Sequence, residues 1–524
     1  MTEASTDPLL EPAERGMLLA WRAHQQPDVP AIIGPSGSLT FAELNARSNR
    51  LARALRRRGL QTNDAVALIS GNRTEFSEVS FACQRSGLRL TPVNWHQTGE
   101  EAGYVVDDCE ARVVIADARN EEVATRAASM APRARVRIAI GGEIGDFEPY
   151  EQVIEPEDDA DIDDPVLGST MLYTSGTTGR PKGVHRTVTA RQAAMLSRLF
   201  DYVAGQDVHL CTGPLYHAAP LAFSHLVPLV SGAGVVIMEL WDPEEALRLI
   251  ETHRITHTHM VPTMFVQLLK LPAGVRSRYD VSSLRNVLHG AAPCPVHVKH
   301  AIIEWLGPIV FEYYAATEGT GTMVDSATWL SRPGTVGKVV DGQVKIADEQ
   351  GNEYPPNEIG TVLLKAPDTG RFEYFKDKEK TEAAYRGDYY TLGDIGYLDE
   401  EGFLFLTDRS TDLIISGGVN IYPTEIDAVL IAHPKVADSA TIGVPNDEWG
   451  EDVKSVVELV AGVERSRRLE AELIQFARDR LAHFKCPRTI DFVDALPRQQ
   501  NGKIYRRLLR DRYRAEAETD RGPL

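Results

Sequence analysis

Between Tyr173 and Gly183 the chain reads Tyr-Thr-Ser-Gly-Thr-Thr-Gly-Arg-Pro-Lys-Gly. Thr174, Ser175, Thr177 and Thr178 carry hydroxyls that can donate to phosphate oxygens. Gly176, Gly179 and Gly183 let the backbone turn tightly and bring its N–H groups up to an anion. Lys182 adds positive charge, and the strand-like Met171–Tyr173 anchors the loop from behind. The spacing is not that of a Walker A loop, GxxxxGK[ST], because Pro181 precedes the lysine and Gly183 follows it. A flexible surface loop would share the glycines and hydroxyls. Together with a lysine they favour a nucleotide-phosphate site.

Six further segments lie downstream: Pro214-Leu-Tyr-His217, Gly290-Ala-Ala-Pro293, Tyr314-Ala-Ala-Thr-Glu318, Tyr390-Thr-Leu-Gly-Asp394, the run from Asp408 to Ile421, and Pro497 to Ile504. Any of these alone is weak; a lone histidine, for instance, is more often structural. In order, and with the loop before them, they resemble the motifs of the adenylate-forming superfamily, which includes acyl-CoA synthetases, adenylation domains of nonribosomal peptide synthetases and beetle luciferases. The resemblance spans nearly the whole chain and lies nearest the acyl-CoA synthetases, or fatty-acid–CoA ligases.

The resemblance implies a role for each segment. His217 would border the acyl pocket, and Leu221 stands where some long-chain members carry a gating Trp. Gly290, Ala291 and Ala292 would lie against adenine, with Tyr314 offering a stacking face. Thr317 would reach the α-phosphate, and Glu318 is a hard oxygen ligand suited to Mg²⁺ held mainly by phosphates. Ala315 replaces the usual glycine of this motif. Asp394 would accept from both ribose hydroxyls and Arg409 would contact the ribose. Thr411 stands at the family's hinge, usually Asp or Lys; a pivot needs backbone freedom rather than charge. Lys503 would bridge the substrate carboxylate and the α-phosphate. Ser416, Gly417 and Gly418 would line the pantetheine path, Trp449 and Phe484 would border CoA, and Lys485 and Arg488 would meet its phosphates. Cys486, between them, takes a place that is basic in many relatives.

The chemistry explains why such groups belong together. A carboxylate is a poor acyl donor until its attack on ATP makes an acyl-adenylate with AMP as leaving group. Two anions must meet, so positive charge is needed where they converge: Lys503, Mg²⁺ at Glu318, and the loop at Lys182. A thiol must then reach the same carbonyl by another route.

The elements that must position these residues alternate in type. Thr40 and Glu43 are spaced as a capping box, followed by Phe41, Leu44, Leu51, Ala52 and Leu55 at helical spacing, with Gly59 ending the run. Ala65–Ile69, Ala111–Ala116 and Gly234–Met238 read as strands. This predicts an α/β fold with mostly parallel sheets. The expected organisation is a large N-terminal adenylate-forming body of layered sheets and helices, residues 1–408, and a small mobile α+β domain, residues 409–524, carrying the catalytic lysine. Leu469, Leu473, Phe476, Ala477, Leu481 and Phe484 predict one apolar helical face there. Arg506, Arg507, Arg510 and Arg514 predict a basic, solvated face on a last helix, with Leu508 and Leu509 inward.

Composition bounds the partners. The 524 residues carry a net charge of −19, which argues against a nucleic-acid binder. Five cysteines without a CxxC pair suggest a reducing compartment. His257 and His259 share a strand face, but no third ligand is in view for a metal. No signal peptide or membrane-length apolar run is evident, so a cytoplasmic location is expected. The expected reaction is ATP-dependent ligation of a carboxylic acid (fatty, steroid side-chain or bile-type, with aryl acids open) to coenzyme A. Loading of a carrier protein is the first alternative. ATP, Mg²⁺ and CoA are the expected small molecules, and a homodimer is left open.

Overall fold

The computed structural model describes residues 8–174, 181–186, 200–348, 350–409, 411–416, 419–446, 449–498 and 503–520. Ser175, Gly176, Thr177, Thr178, Gly417 and Gly418 lie outside the described residues.

The capping box forms: Glu43 N donates to Thr40 Oγ1 (3.2 Å) and Thr40 N to Glu43 Oε2 (2.8 Å). The helix Phe41–Arg57 follows, burying Leu44, Leu51, Ala52 and Leu55, and Gly59 takes the left-handed conformation just past its end. It packs on the helix Thr74–Arg85, which is buried almost all round. One apolar cluster joins these helices to strands of two different sheets, through Val66, Val113 and Ile115 on one and Ile32, Cys211 and Val235 on the other. The helices are therefore the filling of a sheet–helix–sheet stack.

In the first sheet the strands run, edge to edge, Gly319–Val324, Val310–Ala316, Asn286–His289, His257–Met260, Val208–Cys211, Gly234–Ile237, Pro30–Gly34 and Gly37–Thr40. All neighbours pair parallel except the hairpin at each edge. The second sheet is also eight-stranded, with Ala65–Ile69 between Arg89–Val93 and Ala111–Asp117. Ser169–Thr174 and Lys182–His185 pair antiparallel near its edge. A third, antiparallel sheet includes Tyr389–Leu398 and Phe403–Arg409. This large α/β body is joined to a smaller C-terminal domain whose sheet opens at Ile414–Ser416 and holds Gly450–Leu459 between Val436–Asn446 and Thr489–Val493.

Two readings of the small domain need correction. The helix there spans Arg467–Arg478 and buries Leu469, Leu473 and Ala477, but it stops before Leu481 and Phe484; Phe484 sits on a separate turn, 56% exposed. The last helix, Arg506–Asp520, buries Leu509 but leaves Leu508 54% exposed. Its arginines are not a uniformly solvated face. Arg506 Nη2 pairs with Asp427 (2.5 Å), which also accepts from Ser439 (2.9 Å) and Thr441 (2.7 Å). Arg506 also faces Asp412 at 3.8 Å, and Arg510 pairs with Asp412 at 2.7 Å. Sequence periodicity shows which positions share a helical face. It does not show that buried aspartates wait opposite them.

Among the described residues, Thr424 and Lys270 bind the small domain to the body. Thr424 N donates to Asp408 Oδ2 (3.1 Å) and Thr424 Oγ1 to Thr407 O (2.6 Å). Lys270 Nζ donates to Val436 O (3.2 Å) and Ala437 O (2.6 Å). Among the described residues no helix is long and apolar enough to cross a membrane.

Removing one partner of a buried ion pair leaves the other charge uncompensated. Arg506→Ala is expected to destabilise the small domain by about 3–5 kcal/mol, seen as a lower urea midpoint of its unfolding. Arg507→Ala, at a half-exposed position, should stay within about 0.5 kcal/mol of the parent.

Candidate active site

Asp394 is the hub. It lies on Tyr389–Leu398 directly opposite Arg409 on Phe403–Arg409. Arg409 Nε donates to Asp394 Oδ1 (3.2 Å) and Tyr314 Oη donates to Oδ2 (2.6 Å). Tyr314 comes from a different sheet, on Val310–Ala316. Three residues expected around adenosine are thus one hydrogen-bonded group. Burial, and then the charge of Asp394, hold the Tyr314 phenol far above its ordinary range, so it remains a donor.

Val310–Ala316 and Gly319–Val324 form a hairpin in which Ala316 pairs with Gly319, leaving Thr317 and Glu318 as its two-residue turn. Gly319 packs against the Tyr390 hydroxyl where a Cβ would collide, which fixes the turn against the strand carrying Asp394. Tyr374 Oη donates to Glu318 Oε1 (3.0 Å). Lys182, at the foot of the phosphate loop, pairs with Asp377 Oδ2 (2.7 Å). Lys380 stands 4.8 Å over the Tyr374 ring. Burial and the neighbouring Lys182 push the Lys380 amine down to about 8. Tyr374, Asp377 and Lys380 were not singled out from the sequence. Asp377 does cap the helix Lys378–Ala384 by accepting from Lys380 N, and the same carboxyl group takes the Lys182 ion pair.

His217 precedes the short helix Ala218–Leu221. Its Nε2 is buried without a hydrogen-bond partner among the described residues. Burial, then the nearby positive charge of Lys503, push its pKa down to about 4. Gly290 abuts Tyr313, where a Cβ would lie 2.6 Å from the ring. Ala291 adopts φ +68°, a strained conformation for a residue with a Cβ, and Ala292 follows it.

Lys503 enters from the small domain beside the bridge between Arg498 and Ile504. Burial, then the charge of Arg409, lower its amine to about 8, while Asp394 and Glu318 pull the other way. Lys503, His217, Glu318, Asp394 and Arg409 therefore share one electrostatic environment although they come from separate parts of the chain.

The residues assigned to CoA lie on the small domain. Ser416 pairs in register with Gly450, next to Trp449, which is 43% exposed. Arg488 lies 5.6 Å over the Trp449 ring and pairs with Asp452 at 3.0 Å. Lys485 is paired with Glu425 at 2.7 Å and would have to exchange that partner for a phosphate. Thr411 is exposed, within a turn in which Asp412 N donates to Arg409 O (3.0 Å).

Mg²⁺ fits the donor chemistry at Glu318. A carboxylate anchored through one oxygen suits a hard cation shared with phosphates. Among the described residues no group of three or more His, Cys, Asp or Glu could hold a metal by itself.

A lysine that must be protonated to draw carboxylate and phosphate together loses that ability as pH rises through its pKa. The kcat/KM for adenylation should therefore fall above about pH 8, matching the free protein's Lys503. Lys503→Arg, which stays charged, should lower the rate but flatten that limb in a pH series.

Residues 19–372 match the AMP-binding enzyme family and residues 425–503 the AMP-binding enzyme C-terminal domain. A fatty acid–[acyl-carrier-protein] ligase of Streptomyces coeruleorubidus is 32% identical, over 94% of this chain and 95% of that protein. A feruloyl-CoA synthase of an Amycolatopsis species is 33% identical, over 94% and 97%. The crystal structure of an anthranilate CoA ligase with anthranoyl-AMP superposes with a TM-score of 0.87 at 25% identity, covering 96% of this chain and 98% of that one. The chain belongs to the AMP-binding enzyme family of the adenylate-forming superfamily, and is an acid–thiol ligase.

Proposed function

We propose that the protein activates a carboxylic acid with ATP, through an acyl-adenylate, and transfers the acyl group to coenzyme A. The observation that carries this reading is Lys503, a cation brought by the small domain into the electrostatic environment of Asp394, Arg409 and Glu318. Asp394 and Glu318 lie in the body and Arg409 at the division between the domains, so a small-domain cation meets the groups proposed to hold ATP.

In the first step the carboxylate is held between Lys503 and the rim at His217. Neutral His217 can donate one hydrogen bond without competing for the lysine's role. A carboxylate oxygen attacks the α-phosphorus, and pyrophosphate leaves toward Lys182 and Lys380. Thr317 and Lys503 address the developing charge on the α-phosphate. Asp394 and Arg409 hold the ribose, and Tyr314 and the 290–292 loop hold adenine. Mg²⁺, when bound beside Glu318, would neutralise phosphate charge.

In the second step the small domain turns about Thr411 and Lys503 withdraws. Ser416, Trp449 and Arg488 then guide the thiol, which attacks the acyl carbonyl and displaces AMP. A carrier protein is the second acceptor to consider. It is favoured by the Lys485–Glu425 pair, which occupies one of the cations expected for CoA phosphates. The domain division near residues 408 and 409 is part of the same proposal.

The test is AMP formation across a panel of acids, with and without CoA. CoA-dependent turnover with one acid class supports the proposal, whereas adenylation that never responds to CoA refutes CoA as acceptor. Lys503→Ala should reduce adenylation by at least about 100-fold, the scale of one positioned charge or donor. It should change thioester formation from supplied acyl-AMP far less; equal loss in both half-reactions contradicts the assigned role. Thr411→Pro fixes φ and should slow CoA transfer while sparing adenylation. Rapid-quench measurement of each half-reaction separates these outcomes.

A further inference from the structure

Residues in register on neighbouring parallel strands share a sheet face. His209 is in register with His257, and His257 with Asn286. His259 is in register with Leu288, and Leu288 with Phe311, two residues before Tyr313. One face of the first sheet therefore carries three histidines, all buried. Parallel strands covered on both faces ordinarily read Val, Ile and Leu there.

The imidazoles are only partly satisfied. His257 bonds through Nε2 to Phe200 O (3.0 Å) and through Nδ1 to Thr256 (2.9 Å). His209 Nδ1 meets Tyr202 Oη (2.8 Å) and His259 Nε2 meets Tyr313 Oη (3.0 Å). The other nitrogens, His209 Nε2 and His259 Nδ1, are buried with no hydrogen-bond partner among the described residues. A buried polar atom left in this state is costly, and its presence asks for a purpose.

This layer adjoins the proposed acyl site. The short helix after His217 continues into a π-turn, Ala222–Leu226, a local form common at functional sites. That turn carries Phe223, 5.0 Å from the Tyr313 ring and 6.1 Å from His259. Phe200 closes on Phe223 edge-on at 5.8 Å. Behind them a cavity of about 10 Å³, lined by Phe200, Tyr202, His209, Phe223, His257 and Asn286, has room for about one water. Tyr313 and Tyr314 point to opposite faces of their strand, Tyr314 to Asp394 and Tyr313 to His259. One strand thus separates the nucleotide from this layer.

We propose that the Phe223–Tyr313 pair and the histidines behind it form the end wall of the acyl site, and that the wall selects ring-bearing carboxylic acids with an uncharged hydroxyl or oxo group at the end remote from the carboxylate. The inference rests on the ligase reading and narrows it. A flat ring can slide beside Phe223 and Tyr313 with modest side-chain rotation, whereas an extended saturated chain meets the sheet. Each Tyr–His pair can reverse its hydrogen bond, so that the outer imidazole nitrogen offers either a donor or an acceptor. The layer is uncharged at neutral pH, because burial holds His259 down to about 4 and His209 well below its ordinary range. A second carboxylate would find no counter-charge there.

The test is kcat/KM for pyrophosphate release by the full-length protein with para-hydroxyphenylpropanoate, phenylpropanoate, para-carboxyphenylpropanoate and dodecanoate. The hydroxy acid should exceed each of the others by at least about 10-fold, since a site built to bond a hydroxyl discriminates against its absence. His259→Leu should collapse the hydroxy/unsubstituted ratio below about 3-fold, and His259→Gln, which keeps a donor and an acceptor, should restore part of it. Should the Leu variant not fold, Tyr313→Phe removes the hydroxyl that orients His259 and should reduce the same ratio. Dodecanoate equal to or better than the hydroxy acid, or a ratio unmoved by these variants, overturns the end wall and leaves the ligase reading standing. Pyrophosphate release with none of the acids, nor with any member of the wider panel, overturns both.

Discussion

The rest of this site is arranged about one carboxylate largely shielded from solvent. Asp394 is buried, and its two oxygens are taken by Tyr314 from one sheet and Arg409 from the neighbouring strand of another. The Tyr314 bond joins the first sheet to the third, and the Arg409 bond ties together the two strands of the third sheet that lead to the small domain. Lys503 arrives into this already charged environment. Asp394 and Glu318 offset part of the cost that burial and Arg409 impose on its charge.

The crossing itself is braced on both sides. Asp408 ties back to Thr424, at the start of a small-domain helix, and Asp412 is gripped by Arg506 and Arg510 from the last helix. Thr411 lies between these anchors, exposed. The bonds from Asp408 to Thr424 join the body to the small domain across this residue, so the rotation proposed about Thr411 must first give them up.

Much of this was legible in the chain. The capping box at Thr40 and Glu43, the apolar runs at Ala65–Ile69 and Gly234–Met238, and the α/β alternation are local signals, and the structure carries each of them, the last strand ending at Ile237. The motifs at Tyr314, Asp394, Arg409 and Lys503 were read from their ordered resemblance to those of the adenylate-forming superfamily, and the structure brings Tyr314, Asp394 and Arg409 into one hydrogen-bonded group. What local signals could not reveal was partnership across long loops. Asp377 looks like a helix cap and is one, yet it also holds Lys182, 195 residues away. Arg506 looked solvated because its aspartates come from elsewhere in the domain. The pair His257 and His259 was visible on one strand, but its meaning depends on His209, Tyr202 and Tyr313 from other elements. Phe484 was assigned to a helix that ends sooner, because periodicity alone does not mark where backbone bonding stops.

The brace from Lys270 to the small domain ends on main-chain carbonyls, those of Val436 and Ala437. Side chains at those two positions can vary without altering what the ammonium group meets. A latch with backbone acceptors is also easily traded for water, since a carbonyl and an ammonium both hydrate well when they part. The latch therefore tolerates a change of side chain at Ala437, whereas Val436 is held by its own place in the small domain's core.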